Sequence, residues 1–305
     1  MAWHIPPRPV LRTLAALGLA TLLQTPLSAQ QTVTVVASFS ILSDLVSVIG
    51  GDRVRVTAVI GPGGDVHAFE PSPADARTIA EADLVVVNGL DFEGWVDRLI
   101  SAAGYIGTLL VASEGVIPLG EGVDSPGRTV APDPHAWQSV ANAKIFVTNI
   151  AEALTAIDPA GRAHYSANLL NYTAELDVLE DEIVAAISAL PFNRRTIVTS
   201  HDAFGYFADA YSLTFVAPSS VNPGALPTAR AMAELIRQIE TEGFDALFVE
   251  ALTDPRLLEQ VARETGVTIG GTLYSDTLST EDEPADTYLR MMRHNLRTLV
   301  SALAS

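Results

Sequence analysis

Short apolar runs alternate with longer amphipathic stretches along most of the chain. Val33–Phe39 reads as a strand, and Ile41–Ile49 as an amphipathic helix ended by Gly50-Gly51. Val54–Ile60 is a second strand, with Val54, Val56, Ala58 and Ile60 in alternation. The loop GPGGDVHAFEPSP leads to a helix starting near Pro73. Leu84–Val87 is a buried strand turned by Asn88-Gly89, Phe92–Ala102 is helical, and Thr108–Val111 is a fourth strand. A loop rich in Gly, Pro and Asp runs from Ser113 to Pro134. Strands that alternate with helices predict parallel βαβ units.

The alternation breaks in the middle. Ala141–Ala156 is helical, Asp158-Pro159 ends it, and a second helix runs from about Gly161 to Leu190. In that helix Leu169, Tyr172, Leu176, Leu179, Ile183, Ile187 and Leu190 recur at three- and four-residue steps and form one apolar stripe. Its length, roughly 45 Å at 1.5 Å per residue, exceeds one small lobe and predicts a strut across two. The α/β grammar then resumes. Strand Thr196–Thr199, helix Ala203–Ala210, strand Leu213–Ala217, helix Thr228–Glu242, strand Ala246–Val249, a helix from Asp254-Pro255 to Thr265, strand Val267–Leu273 and a terminal helix from about Pro284 to Leu303 follow in order. The two halves share an order of elements without a close sequence repeat. The predicted fold class is α/β: a lobe over residues 30–158, a linking helix over 159–191 and a second lobe over 192–305, each lobe with a parallel sheet flanked by helices.

The start of the chain departs from this pattern. Arg8 and Arg12 precede the apolar run Leu14–Leu23, and Leu27-Ser28-Ala29 offers a small-residue cleavage site. The run is shorter than the roughly 20 residues of a membrane span, so residues 1–29 read as a signal peptide cleaved near Ala29. The expected product is a soluble, exported, periplasmic monomer. The chain holds no cysteine, which excludes disulfides, thiolate metal sites and a cysteine-linked lipid. With 36 acidic and 18 basic residues the net charge is −18, and loss of the signal segment takes it to about −20. Nucleic-acid binding needs a basic surface and is excluded as the function.

Charge of this sign mildly favours cations, which turns attention to the six histidines. His4 lies in the signal segment; His164 on the strut and His294 on the last helix read as surface side chains. The other three stand at loop positions: His67 past strand Val54–Ile60, His135 before a helix, His201 directly after its strand. Asp276 sits one step past another strand. Ligands of open α/β sheets gather at the carboxyl ends of strands. Three imidazoles and a carboxylate there would suit zinc, manganese or iron, whereas calcium and magnesium prefer oxygen shells. Spacing alone leaves a shared site open, since no pair lies within one helix turn.

The surrounding residues carry more. Asp65-Val66-His67-Ala68-Phe69-Glu70-Pro71 resembles the D-x-H-x-[FY]-x-P segment of the zinc- and manganese-binding substrate-binding proteins of ABC transporters, the group with a rigid helical backbone. Asp133-Pro134-His135-Ala136-Trp137 resembles its second segment, D-P-H-x-W. Thr199–Phe207 is similar to the third, and Leu273–Leu278 to the fourth. The resemblance spans nearly the whole mature chain in the right order. It implies one metal ion between two lobes, held by His67, His135, His201 and Asp276, and delivered to a membrane permease.

Histidine at the third position leans towards Zn²⁺, where relatives with glutamate tend to take manganese or iron; Mn²⁺ is the alternative. The His- and acid-rich loop of many zinc-uptake members has no counterpart, since Gly120–Ala131 is short and holds no histidine. Glu250 at a strand end reads either as a support for a ligand imidazole or as a salt-bridge partner. Asp65 and Asp133 read as imidazole supports or helix caps, and Asp202 as a cap. A metalloenzyme is the main competing class. Catalytic zinc usually keeps an open position, four candidates would close the shell, and neither H-E-x-x-H nor G-x-S-x-G occurs. The expectation is a non-enzyme; an adhesin or scaffold is the third class.

Overall fold

Strand β1 (Val33–Phe39) is apolar almost throughout because both of its faces are covered. In the computed structural model of the chain, which describes residues 1–4, 32–120, 122–125, 128–217, 228–244 and 246–304, β1 pairs in parallel with β2 (Val54–Ile60) and β3 (Leu84–Val87), and β3 with β4 (Thr108–Val111). The order is β2-β1-β3-β4. The edge strand β2 alternates in burial, as its sequence alternates. Helices α1 (Ser40–Gly50), α2 (Pro73–Ala80) and α3 (Val96–Ala103) connect these strands. Ser72 caps α2 with Asp75 in a reciprocal capping box. The segment read as a signal peptide falls, from residue 5 on, outside the described residues. Thr32–Ser305 forms one compact unit.

Between Gly122–Ser125 (β5) and Arg128–Val130 (β6) the backbone forms a short antiparallel pair inside the segment read as loop. Then come α4 (Val140–Ile157) and α5 (Arg162–Ser188). Helix α4 is long and apolar enough to cross a membrane, but Val140, Ala143, Phe146, Val147, Ile150 and Leu154 are buried in the protein core. On α5 the buried residues are Tyr165, Tyr172, Leu176, Leu179, Ile183 and Ile187; five belong to the predicted stripe, Tyr165 extends it, Leu169 is half-buried, and Leu190 is buried just past the helix end.

The second sheet contains β7 (Thr196–Val198), β8 (Thr214–Val216), β9 (Ala246–Glu250) and β10 (Ile269–Leu273), all parallel, in the order β10-β9-β7-β8. Counted from its own first strand, this is the topology of the first sheet. Helices α6 (Gly205–Tyr211), α7 (Ala229–Glu242), α8 (Arg256–Thr265) and α9 (Tyr288–Leu303) complete this half. One continuous apolar cluster includes Val35, Phe39 and Trp137 from the first half and Phe207, Phe248 and Leu299 from the second. A smaller cluster, with Val198, Leu235, Leu247 and Val261, fills the outer side of the second sheet.

The segment after β10 leaves its own sheet and fastens onto the first half. Gly63 N–H donates to Thr277 Oγ1 (2.8 Å) and to the Leu278 carbonyl (3.1 Å). Leu278 N–H donates to Ser40 Oγ (3.0 Å). Trp137 Nε1 and Gln138 Nε2 both donate to the Ser275 carbonyl, at 2.9 and 3.0 Å. Tyr288 donates its N–H to Asp44 (2.8 Å) and its hydroxyl to the Trp137 carbonyl (2.7 Å). Residues 275–288 are thus held by the first half of the chain.

Candidate metal site

His67, His201 and Asp276 stand beyond the carboxyl ends of β2, β7 and β10, and His135 stands at the start of the turn that leads into α4. The loop from β2 carries His67, whose N–H donates to Asp65 Oδ1 (2.8 Å); Ala68 N–H shares that oxygen at 3.1 Å. Asp65 therefore fixes a local turn. Asp133 does more: its Oδ1 accepts the His135 N–H (2.9 Å) and lies 2.7 Å from His135 Nδ1. His201 follows β7, and its N–H donates to Glu250 Oε1 (2.9 Å) while Glu250 Oε2 lies 2.6 Å from its Nδ1. Asp276 follows β10 by three residues.

The four side chains meet. Asp276 Oδ2 is 3.3 Å from His67 Nε2 and 3.2 Å from His201 Nε2, and Asp276 Oδ1 is 3.4 Å from His135 Nε2. One donor atom from each lies within 4.8 Å of the others, the one such group of three or more His, Cys, Asp or Glu among the described residues. His135, His201 and Asp276 are buried, and His67 nearly so. Yet the close approaches lack hydrogen-bond alignment. His67 Nε2, His135 Nε2, His201 Nε2 and Asp276 Oδ1 all remain without a hydrogen-bond partner. A buried polar atom left so costs about 1–3 kcal/mol. Four of them aimed at one point fit a divalent transition-metal ion. With carboxylates against the Nδ1 atoms of His135 and His201, the Nε2 lone pairs are the ones left to face an ion.

Charge on these groups is strongly coupled. Burial would lower the His201 pKa, but the carboxylates of Asp276 and Glu250 overcome it and raise it from 6.5 to about 11. Burial would raise that of Asp276, and the imidazoles of His201 and His135 instead hold it well below the usual carboxylate range. Without metal, the stabilisation from charged His201 is complete below about pH 6.5 and fades as pH rises through about 11. That from Asp276 is present above its ordinary value and fades as pH falls through the lowered one.

Three residues that frame the site carry no sequence signal of their own. Phe92 presents its ring at 5.1 Å from His67 and 5.8 Å from His135, edge to face, and packs at 4.8 Å on Trp137. Glu93 lies buried behind it. Gly205 opens α6 where a Cβ would fall 2.3 Å from Asp133 Oδ2, so any larger residue would press on the support of His135. Asp202 is exposed and caps nothing: Phe204 is the N-cap of α6, without a side-chain cap bond. His164 and His294 are half-buried, not free surface groups; His164 meets Asn168 (3.1 Å) and His294 the Thr272 carbonyl (3.0 Å).

Known proteins share this architecture. The solved structure of a Mn-bound periplasmic metal binding protein from Candidatus Liberibacter asiaticus superposes with a TM-score of 0.81 at 31% identity, covering 89% of this chain and 100% of that one. The periplasmic zinc binding protein TroA from Treponema pallidum superposes with a TM-score of 0.83 at 28% identity, covering 90% and 100%. In sequence, the manganese-binding lipoprotein MntA of Halalkalibacterium halodurans is 34% identical over 271 residues, 88% of each chain. Residues 35–302 match the family described as zinc-uptake complex component A, periplasmic. The chain belongs to that family, the substrate-binding proteins of metal ABC transporters.

Proposed function

We propose that the chain captures one divalent transition-metal ion with His67, His135, His201 and Asp276, outside the inner membrane, and hands it to the permease of an ABC importer. The observation that carries this reading is the set of four buried, unpartnered donor atoms directed at one point. The metal is cargo, and a shell closed by four side chains leaves no position for a reacting water. Residues 30–158 and 192–305 act as the two lobes and 159–191 as the strut, after removal of residues 1–29.

For the cargo we favour Zn²⁺, with Mn²⁺ as its competitor. Three imidazoles and one carboxylate suit tetrahedral zinc. The names of MntA and of the Mn-bound relative favour manganese, and that of TroA favours zinc. Zinc outcompetes manganese at most nitrogen and oxygen sites, so titration tests affinity and the native metal tests choice. Elemental analysis of protein purified from its own compartment is expected to return about one zinc per chain. Manganese recovered in that place would reverse the assignment.

Metal must displace the proton that His201 holds. At pH 7.5 binding is expected to release about one proton per ion, read by calorimetry in buffers of different ionisation enthalpy. Affinity should weaken as pH falls, more steeply below about 6.5, where unperturbed imidazoles protonate. Equal dissociation constants at pH 7.5 and 5.0 would contradict a three-imidazole site.

The ligands also differ in which half of the chain holds them. The Asp276 segment is bonded to the first half through Gly63, Ser40, Trp137 and Gln138. His67, His135 and Asp276 then form a preassembled three-sided receptor, and His201 with Glu250 closes it from the second sheet.

A further inference from the structure

We propose that Glu93 is the positioning residue for the first-lobe half of the metal site, fixing through one buried carboxylate the wall and the loop that aim His67 and His135. The proposal rests on the metal-capture reading above. Glu93 makes no hydrogen bond or ion pair with any of the four ligands, so it acts through its neighbours.

Strand β3 does not run into its helix. Gly89, Leu90 and Asp91 follow it with φ of 85°, 53° and 60°, three successive residues in the left-handed region. Glycine takes that conformation freely; Leu90 and Asp91 do not. A turn of this kind persists only where its surroundings over-determine it, and such turns gather at functional sites. Here the carboxylate of Glu93 supplies the hold. Its Oε1 accepts the Asn88 N–H (2.6 Å) and the Ser38 hydroxyl of β1 (2.6 Å), and its Oε2 accepts the Gly89 N–H (3.2 Å). All three partners donate, so the site calls for a group with acceptors on both arms.

Two consequences reach the ligands. Phe92, next in sequence after the turn, is placed with its ring against His67 and His135. Asn88, whose N–H is held by Glu93, donates from Nδ2 to the carbonyl of Pro134 (2.9 Å), the residue before His135. Loss of the carboxylate would therefore free the wall and the His135 loop together. Burial raises the pKa of this carboxylate, and the hydrogen bonds from Ser38, Asn88 and Gly89 oppose that rise.

The test compares wild type with Glu93→Ala, Glu93→Gln and Phe92→Leu in the full mature chain. Three readouts are needed: zinc dissociation constants by chelator competition, the visible d–d bands of the Co²⁺-loaded protein, and the melting temperature without metal. Glu93→Ala is expected to weaken zinc by roughly 10–100-fold, the usual range for residues that orient metal ligands, and to shift the Co²⁺ bands. Glu93→Gln keeps an acceptor for Asn88 and Ser38 but sets an NH₂ against the Gly89 N–H, so it should shift both readouts less. Phe92→Leu removes the wall without touching the carboxylate, and it should shift the bands in a protein that folds even where Glu93→Ala does not. Lower melting temperatures with unchanged Co²⁺ bands and zinc constants within about twofold, well short of that range, would overturn the proposal and leave Glu93 as a fold residue. A wild-type chain that binds neither zinc nor Co²⁺ would overturn the capture reading itself, a result visible before any variant is made.

Discussion

Alanine at His135 is expected to remove most of the rise in melting temperature that zinc gives the wild-type protein. An ion that binds only the folded chain stabilises it by RT ln(1 + [L]/Kd), about 4 kcal/mol at a thousandfold excess over Kd. For a body of this size that is a shift of roughly 10 °C. His67→Ala, His201→Ala and Asp276→Ala should each abolish a comparable share, although the four lie in separate loops. His164→Ala and His294→Ala should leave the rise intact, because their contacts are with Asn168 and with the Thr272 carbonyl, away from the four donors. Each variant is measured with and without zinc, so that any change in the metal-free baseline is subtracted. If His67→Ala and His201→Ala kept the full shift while His294→Ala lost it, the choice of ligands would be wrong. Loss confined to His67 and His135 would place the site within one lobe.

The second large effect belongs to Trp137, a residue that touches no metal. Its side chain is fully buried, with ring centroids 5.1 Å from Phe39, 4.8 Å from Phe92 and 5.4 Å from His135. Its Nε1 binds the Ser275 carbonyl, one residue from Asp276. Trp137→Ala should cost the metal-free protein about 3–5 kcal/mol in urea unfolding, the usual range for a large aromatic removed from a core. It should also weaken zinc, since it unpacks His135 and loosens the Asp276 segment together. Trp137→Phe keeps most of the packing and loses the hydrogen bond, so its stability loss should be smaller. A cost below about 1 kcal/mol for the alanine variant would show that this cluster collapses around the gap.

Both effects arise from contacts between distant parts of the chain, and this separates what the sequence displays from what it conceals. The strands β1, β2, β3 and β4 stand out because short apolar runs bounded by Gly, Asn and Pro have few other homes. Their parallel pairing follows from the helices between them. The stripe on α5 is equally plain, although Leu170, Val178 and Val184 leave apolar side chains exposed elsewhere on that helix. Helix α3 begins at Val96, later than its apolar pattern suggests, because Leu90 and Asp91 adopt a left-handed backbone that their own side chains disfavour. Glu93 accepts from Asn88 and Gly89 close by in sequence and from Ser38 across the sheet, and no apolar pattern announces these bonds. The pair β5–β6 is mostly polar and lacks the alternation of a half-buried strand.

The candidate site divides in the same way. His67, His201 and Asp276 are visible as loop residues past strands and His135 as a loop residue before a helix, but their spacing does not join them; the resemblance of four segments does. Glu250 sits against His201 Nδ1 and Asp133 against His135 Nδ1, while Asp65 holds only backbone N–H groups. Gly205 is small because Asp133 approaches it from the other half, a reason invisible from its own neighbours.

The most direct test is a crystal structure of the zinc-loaded protein with anomalous diffraction recorded at the zinc edge. One peak is expected, about 2.0–2.2 Å from the Nε2 atoms of His67, His135 and His201 and from a carboxylate oxygen of Asp276. An ion held by residues of one lobe alone, or a strong peak anywhere else with these four side chains unbound, would contradict the shared site.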